Sequence, residues 1–136
     1  MDITIHNEQL EIHVAAKGAE LTSIKGKATG LEYLWQADPK VWARHAPILF
    51  PMVGKLKDDK SLIQGKSYSM GQHGFARDME FQILGKTSAS VSLQLISNEE
   101  TLKKYPYKFN LLVEYTLLEN KILVSYKVKN IDDKII

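Results

Sequence analysis

The stretch FNLLVEYTLLENKILVSYKVKN, Phe109 to Asn130, decides the fold class. Phe109, Leu111, Val113, Tyr115 and Leu117 recur at every second position, and so do Ile122, Val124, Tyr126 and Val128. Lys121, Ser125, Lys127 and Lys129 fill the opposite face of the second run, and Glu119-Asn120 separates the two. A period of two is the side-chain period of a β-strand, so the stretch predicts two long antiparallel strands joined by a tight turn.

The same period governs most of the chain on either side. Ile3 and Ile5, then Leu10, Ile12 and Val14, alternate with polar residues around an Asn7-Glu8-Gln9 turn, which predicts a hairpin with one wet face. Leu21–Ile24 and Leu31–Trp35 read as two more short strands punctuated by Gly18, Gly26 and Gly30. Ser61–Met70 reads as strand around a Gln64-Gly65-Lys66 turn. Met79, Phe81 and Ile83 share a face, as do Val91, Leu93 and Leu95. Between Asp38 and Lys57 the pattern breaks. Pro47 and Pro51 lack backbone donors, so this apolar segment predicts a rigid loop packed on the body instead of a central strand. One helix is expected near 98–104: Ser97 or Asn98 caps it, acids come early and lysines late, and Pro106 stops it.

These elements predict an all-β, mostly antiparallel architecture, a β-sandwich in preference to a closed barrel because the strands are uneven in length. At 136 residues the chain is expected to form a single domain, 1–136. Lys134-Ile135-Ile136 reads as the beginning of a further strand. That implies a truncated sheet with an open edge, through which the chain is expected to self-associate.

Charge and composition exclude several classes. A net charge of +2, from 18 basic and 16 acidic residues, argues against a nucleic-acid partner, which needs a concentrated basic face. Lys55, Lys57 and Lys60 cluster, but Asp58 and Asp59 lie among them, as in a solvated loop. Without cysteine there is neither a disulfide framework nor a thiolate metal site. The opening MDITIHNEQLEIHV is not a signal peptide, and no apolar run approaches the roughly 20 residues of a membrane helix. A cytoplasmic protein with no membrane partner is expected.

The chemical residues concentrate in QHGFARD, Gln72 to Asp78, and in ARHAPILFPMVGKLKD, Ala43 to Asp58. His6 and His13 fall on the polar sides of their strands and read as solvated. His45, beside Arg44, reads as a positioning or surface residue. For His73, flanked by Gln72 and near Gly71, Gly74 and Arg77, a structural and a functional role are both open. No metal-ligand spacing, Gly-rich phosphate loop or Gly-x-Ser-x-Gly elbow occurs, so no metal and no cofactor is expected. Trp35, Trp42, Tyr68 and Phe75 are suited either to stacking on a sugar ring or to core packing. Arg, Gln, His and Asp beside an aromatic residue make the inventory that binds a neutral polyol: dense hydrogen bonding plus one apolar platform. From these residues alone the reading is a β-sandwich with a polar pocket.

The runs Trp42–Gly54 and Gln72–Asp78, with Asn98–Thr101 leading to Tyr105–Phe109 and the late Lys127–Asn130, resemble the aldose 1-epimerase (mutarotase) superfamily. The similarity is to its LacX-like and hexose-6-phosphate mutarotase branches and spans nearly the whole chain in order. It implies a β-sandwich of the galactose mutarotase type, of which this chain is the N-terminal part. It also implies binding of an aldose or sugar phosphate and interconversion of its anomers by acid–base ring opening, without a cofactor. Matched by position, His73 takes the place of a catalytic-site histidine, and Arg44, Gln72 and Arg77 take substrate-binding places. Lys55 stands where some relatives carry an arginine. The family's general acid, a histidine in a Gly-His-Pro segment, and its base, a glutamate, have no counterpart in these 136 residues. The isolated chain is therefore expected to be inactive. The alternative is a non-catalytic carbohydrate-binding sandwich that keeps the same residues for binding only.

Overall fold

The computed structural model describes residues 2–136. Nine strands and one short α-helix are found among them. Strand β1 (Asp2–His6), β2 (Leu10–Ala15) and β3 (Glu20–Gly26) form one antiparallel sheet in the order β1-β2-β3. The hairpin turn forms because the Asn7 side chain accepts from Gln9 and Leu10 N–H while Asn7 N–H donates to the Leu10 carbonyl. Strands β4 (Lys60–Ile63) and β5 (Lys66–Ser69) make a small hairpin about Gln64-Gly65, both at positive φ. The third sheet takes β6 (Gln82–Lys86), β7 (Ser90–Ile96), β8 (Phe109–Leu118) and β9 (Lys121–Asn130), in that order and antiparallel throughout. The long β8–β9 ladder runs from Phe109 opposite Asn130 to Leu118 opposite Lys121, as the alternation predicts.

The inward faces of the first and third sheets pack into one core. Ile3, Ile5, Ile12 and Val14 meet Val91, Leu93, Phe109, Leu111 and Val113, all fully or almost fully buried. Each such side chain contributes roughly 1.5–3 kcal/mol of burial. Tyr115 ties the sheets together. Its hydroxyl donates to the Ala19 carbonyl at 2.7 Å, and burial holds its pKa far above the ordinary tyrosine value, with Tyr126 and Glu20 adding to the effect. A second tie is the chain at 79–81. Gly18 N–H donates to the Met79 carbonyl, and Phe81 N–H donates to the Ala16 carbonyl.

Helix α1 (Glu99–Lys104) is capped by Asn98. Its side chain accepts from Glu100 and Thr101 N–H, and the Thr101 hydroxyl accepts from Asn98 N–H. Such a cap is worth about 1 kcal/mol.

Three expected strands differ in the structure. Leu31–Trp35 makes only a single bridge, Lys25 with Glu32, and is otherwise irregular. The reason lies at Glu32, whose carboxylate accepts from Ser23 Oγ, Ile24 N–H and Leu34 N–H and so replaces a ladder with side-chain bonds. The face Met79-Phe81-Ile83 is broken as well. Phe81 is buried, but β6 starts one residue later at an edge where Ile83 is exposed. Lys134–Ile136 forms no strand, because no neighbouring strand pairs with it. Among the described residues no helix is long and apolar enough to cross a membrane.

Candidate functional site

The QHGFARD segment is fixed to the proline loop by its smallest residue. Gly74 has φ +73° and lies against Phe50, where an added Cβ would sit 2.2 Å from the Phe50 carbonyl oxygen. Only glycine fits that approach. The contact is an isolated parallel bridge, and the Phe50 carbonyl accepts from both Phe75 N–H and Ala76 N–H, at 2.9 and 3.1 Å. Phe75 does not stack on solvent. It is buried in an aromatic cluster, edge-on to Phe50 and stacked near Phe109. The core thus takes the one apolar side chain and leaves the polar ones on the surface, in a 3-10 turn at Ala76–Asp78.

His73 also adopts a left-handed backbone, φ +65°, which costs a non-glycine residue roughly 1–2 kcal/mol and persists only when its surroundings impose it. Here the surroundings are Gly54. His73 N–H donates to the Gly54 carbonyl, and Gly54 N–H donates to His73 Nδ1, both at 2.8 Å. With Nδ1 accepting, the neutral ring carries its proton on Nε2. The Gln72 amide lies 3.2 Å from Nε2. Two donors cannot share that contact, so the amide oxygen belongs on the histidine side.

Arg77 folds back to donate to the Gln72 carbonyl at 2.8 Å, closing the segment on itself. Its buried Nε has no hydrogen-bond partner and lies 3.8 Å from Asp78 Oδ2. Arg44 reaches across 34 residues to donate to Asp78 Oδ1 at 2.9 Å. Partial burial pushes the Asp78 carboxyl up. The Arg44 hydrogen bond and the charges of Arg44, Arg77 and Lys17 outweigh that, so it lies below the ordinary aspartate value. Glu20 sets the Arg44 loop by accepting from both His45 N–H and Ala46 N–H at 2.9 Å. Gly18 lets β2 close on the segment from behind, since a Cβ there would meet the Arg77 carbonyl oxygen at 2.7 Å.

Two cavities result. One, of about 640 Å³, has walls from Lys17, Glu20, Trp42, Arg44, Arg77 and Asp78. The second, of about 220 Å³, is lined by Gln72, Arg77, Asp78 and the helix residues Glu100 and Lys104. The Arg77–Asp78 pair is the partition between them. Of the residues marked by sequence, Arg44, Gln72 and Arg77 are brought together here. His73 lines neither cavity and joins the group through Gln72. Trp42 stands half-exposed in the cleft wall, and Trp35 donates from its indole to the Trp42 carbonyl outside it. Sequence reasoning counted Asp78 only within the polar inventory of its segment and gave Glu20 and Lys17 no role. Asp78 ends the same seven-residue segment, which is a usable signal; Glu20 and Lys17 have none, being distant in the chain.

The family model described as aldose 1-epimerase matches residues 1–136. The chain belongs to the aldose 1-epimerase family. The LacX protein of Lactococcus lactis subsp. lactis, chromosomal form, is 41% identical over 137 residues, covering 97% of this chain and 46% of its own length. A galactose mutarotase related enzyme from Lactobacillus acidophilus superposes with a TM-score of 0.96 at 44% identity, over 98% of this chain and 44% of the other. A galactose mutarotase-like protein from Lactobacillus casei superposes equally well, 0.96 at 43% identity, over 98% and 46%. The chain thus spans about half the length of the relatives it matches.

Proposed function

We propose that residues 1–136 act as one unit, the first part of a mutarotase-like sandwich, and supply the sugar-positioning half of an anomer-interconverting site. The ligand is an aldose, with or without a phosphate. The observation that carries this reading is the fixed imidazole of His73. Gly54 engages Nδ1 and a costly left-handed backbone holds the ring, so Nε2–H fixes the Gln72 amide, whose NH2 is left as a preset donor for a sugar oxygen in the cavity that Gln72 lines. Arg44 and Arg77 keep unpaired guanidinium N–H groups at the cleft for further hydroxyl or phosphate oxygens.

In the proposed reaction a carboxylate base takes the proton of the anomeric hydroxyl while an acid protonates the ring oxygen. The ring opens to the aldehyde, the C1–C2 bond rotates, and closure on the other face returns the second anomer. Asp78 is unsuited to be that base, because its ion pair with Arg44 stabilises the anion and lowers its basicity. The 136 residues alone therefore bind sugar without turning it over; each missing proton-transfer group removes roughly 10²–10⁴ in rate. Saturation-transfer NMR with galactose and glucose, paired with polarimetry, tests this. Transfer to the sugar that is lost in His73→Ala, with anomerisation at the buffer rate, is expected. Absence of transfer, or anomerisation well above buffer, would overturn it.

A further inference from the structure

The charges around the two cavities come close to cancelling. Lys17, Arg44, Arg77 and Lys104 supply the cations of their walls, and Glu20, Asp78 and Glu100 supply the carboxylates, which leaves a single surplus positive charge. A phosphate monoester carries nearly two negative charges above about pH 7, more than that surplus balances. Most of the cations are also engaged already. Arg44 gives Nη2 to Asp78 Oδ1 at 2.9 Å, Arg77 gives Nη2 to the Gln72 carbonyl and buries its Nε, and Lys104 lies 3.7 Å from Glu100. Neither guanidinium turns a whole free fork to the cleft, which is the geometry that grips a phosphate.

Asp78 sets this balance. It lines both cavities, and about half of its side chain is exposed. Oδ1 accepts from Arg44, while Oδ2 makes no hydrogen bond among the described residues and stands 3.8 Å from Arg77 Nε. An Arg44 N–H and Asp78 Oδ2 therefore place a donor beside an acceptor. A hydroxyl uses both at once, accepting from the first and donating to the second. A phosphate dianion has no proton to give, and the carboxylate repels it.

We propose that Asp78 is a specificity-determining residue, an internal anion that fits the cleft to a neutral aldose and excludes a sugar phosphate. It holds Arg44 in place of a phosphate and takes a sugar hydroxyl on Oδ2. The inference rests on the aldose reading above and chooses between its two ligands.

Chemical-shift titration of the 136-residue chain with galactose, galactose 6-phosphate and inorganic phosphate, at low salt and about pH 8, tests the two separately. The native chain should bind galactose more tightly than galactose 6-phosphate, and inorganic phosphate should not displace the galactose. Asp78→Asn keeps the size of the side chain and an oxygen for Arg44 but removes the charge. A unit charge about 5 Å from a dianion in water changes affinity roughly tenfold. Asp78→Asn, confirmed folded by circular dichroism, should therefore bind the 6-phosphate roughly tenfold more tightly than the native chain does, and galactose more weakly. Glu114→Gln, on the outward face of β8 beside Ser92, removes the same charge away from the cleft and should leave both affinities where they are. Galactose 6-phosphate bound by the native chain as tightly as galactose, or galactose displaced by inorganic phosphate, would overturn the proposal and keep the aldose reading; that comparison needs no substituted chain. An unchanged preference in Asp78→Asn, or a gain matched by Glu114→Gln, would overturn the role of Asp78. Binding of neither sugar would overturn both readings.

Discussion

Replacing Gly74 by alanine puts the arrangement of the site to its hardest test. The new Cβ would lie 2.2 Å from the Phe50 carbonyl oxygen, 2.5 Å from its carbon and 2.7 Å from Pro51 Cδ. Those atoms must separate by more than about 1 Å to reach ordinary van der Waals distance. Phe75 and Ala76 N–H both bond that carbonyl, so the separation breaks two hydrogen bonds of about 1 kcal/mol each. An L-residue at φ +73° adds roughly 1 kcal/mol of backbone strain, and displacing buried Phe75 adds about 1 more. The total is about 4 kcal/mol, a large part of the roughly 5–15 kcal/mol that holds a domain folded. Gly65→Ala is the control. Its φ is +76°, but nothing lies within 4 Å of the added Cβ, so only the strain of about 1 kcal/mol applies. Urea unfolding followed by circular dichroism measures both. At a slope of about 2 kcal/mol per molar, the Gly74→Ala midpoint should fall by roughly 2 M and the Gly65→Ala midpoint by about 0.5 M. Equal midpoints would refute the claim that close approach to Phe50, rather than backbone conformation, dictates glycine at 74.

Two further outcomes follow from charge and exposure. The Asp78 carboxyl lies below its ordinary value, so its ion pair stabilises the fold above the unfolded value and that contribution is lost as pH falls through the folded one. The stability gap between the native chain and Asp78→Asn should therefore be widest above about pH 5 and close toward pH 2; a gap constant with pH in denaturation curves would contradict the pairing with Arg44. The gap is less than about 1 kcal/mol, because the pair is half in solvent. Strand β9 exposes Val124 (39%), Tyr126 (59%) and Val128 (50%) beside an unpaired edge, so sedimentation should show concentration-dependent self-association that Tyr126→Asp with Val128→Lys removes. A strictly monomeric native chain at high concentration would contradict it.

Alternation alone determined the β8–β9 ladder, the first hairpin and the inward faces of β7 and β8, because the two-residue period of a strand is written locally. The cap at Asn98 and the turn at Gln64-Gly65 were legible for the same reason: each depends on residues within three or four positions. The sequence also marked QHGFARD as a unit, and its resemblance to a family supplied the roles expected of Arg44, Gln72, His73 and Arg77. Only tertiary structure decided how those residues stand. Arg44 meets Asp78 across 34 residues, Glu20 holds a loop 25 residues away, and Gly54 holds the imidazole from 19 away. The irregular course of Leu31–Trp35 was decided in the same way, by a Glu32 carboxylate that captures donors of its neighbouring strand. Each of these depends on which distant groups the sandwich brings within hydrogen-bonding reach. Side-chain period carries no record of that, because it fixes which face a residue occupies and leaves open what lies opposite.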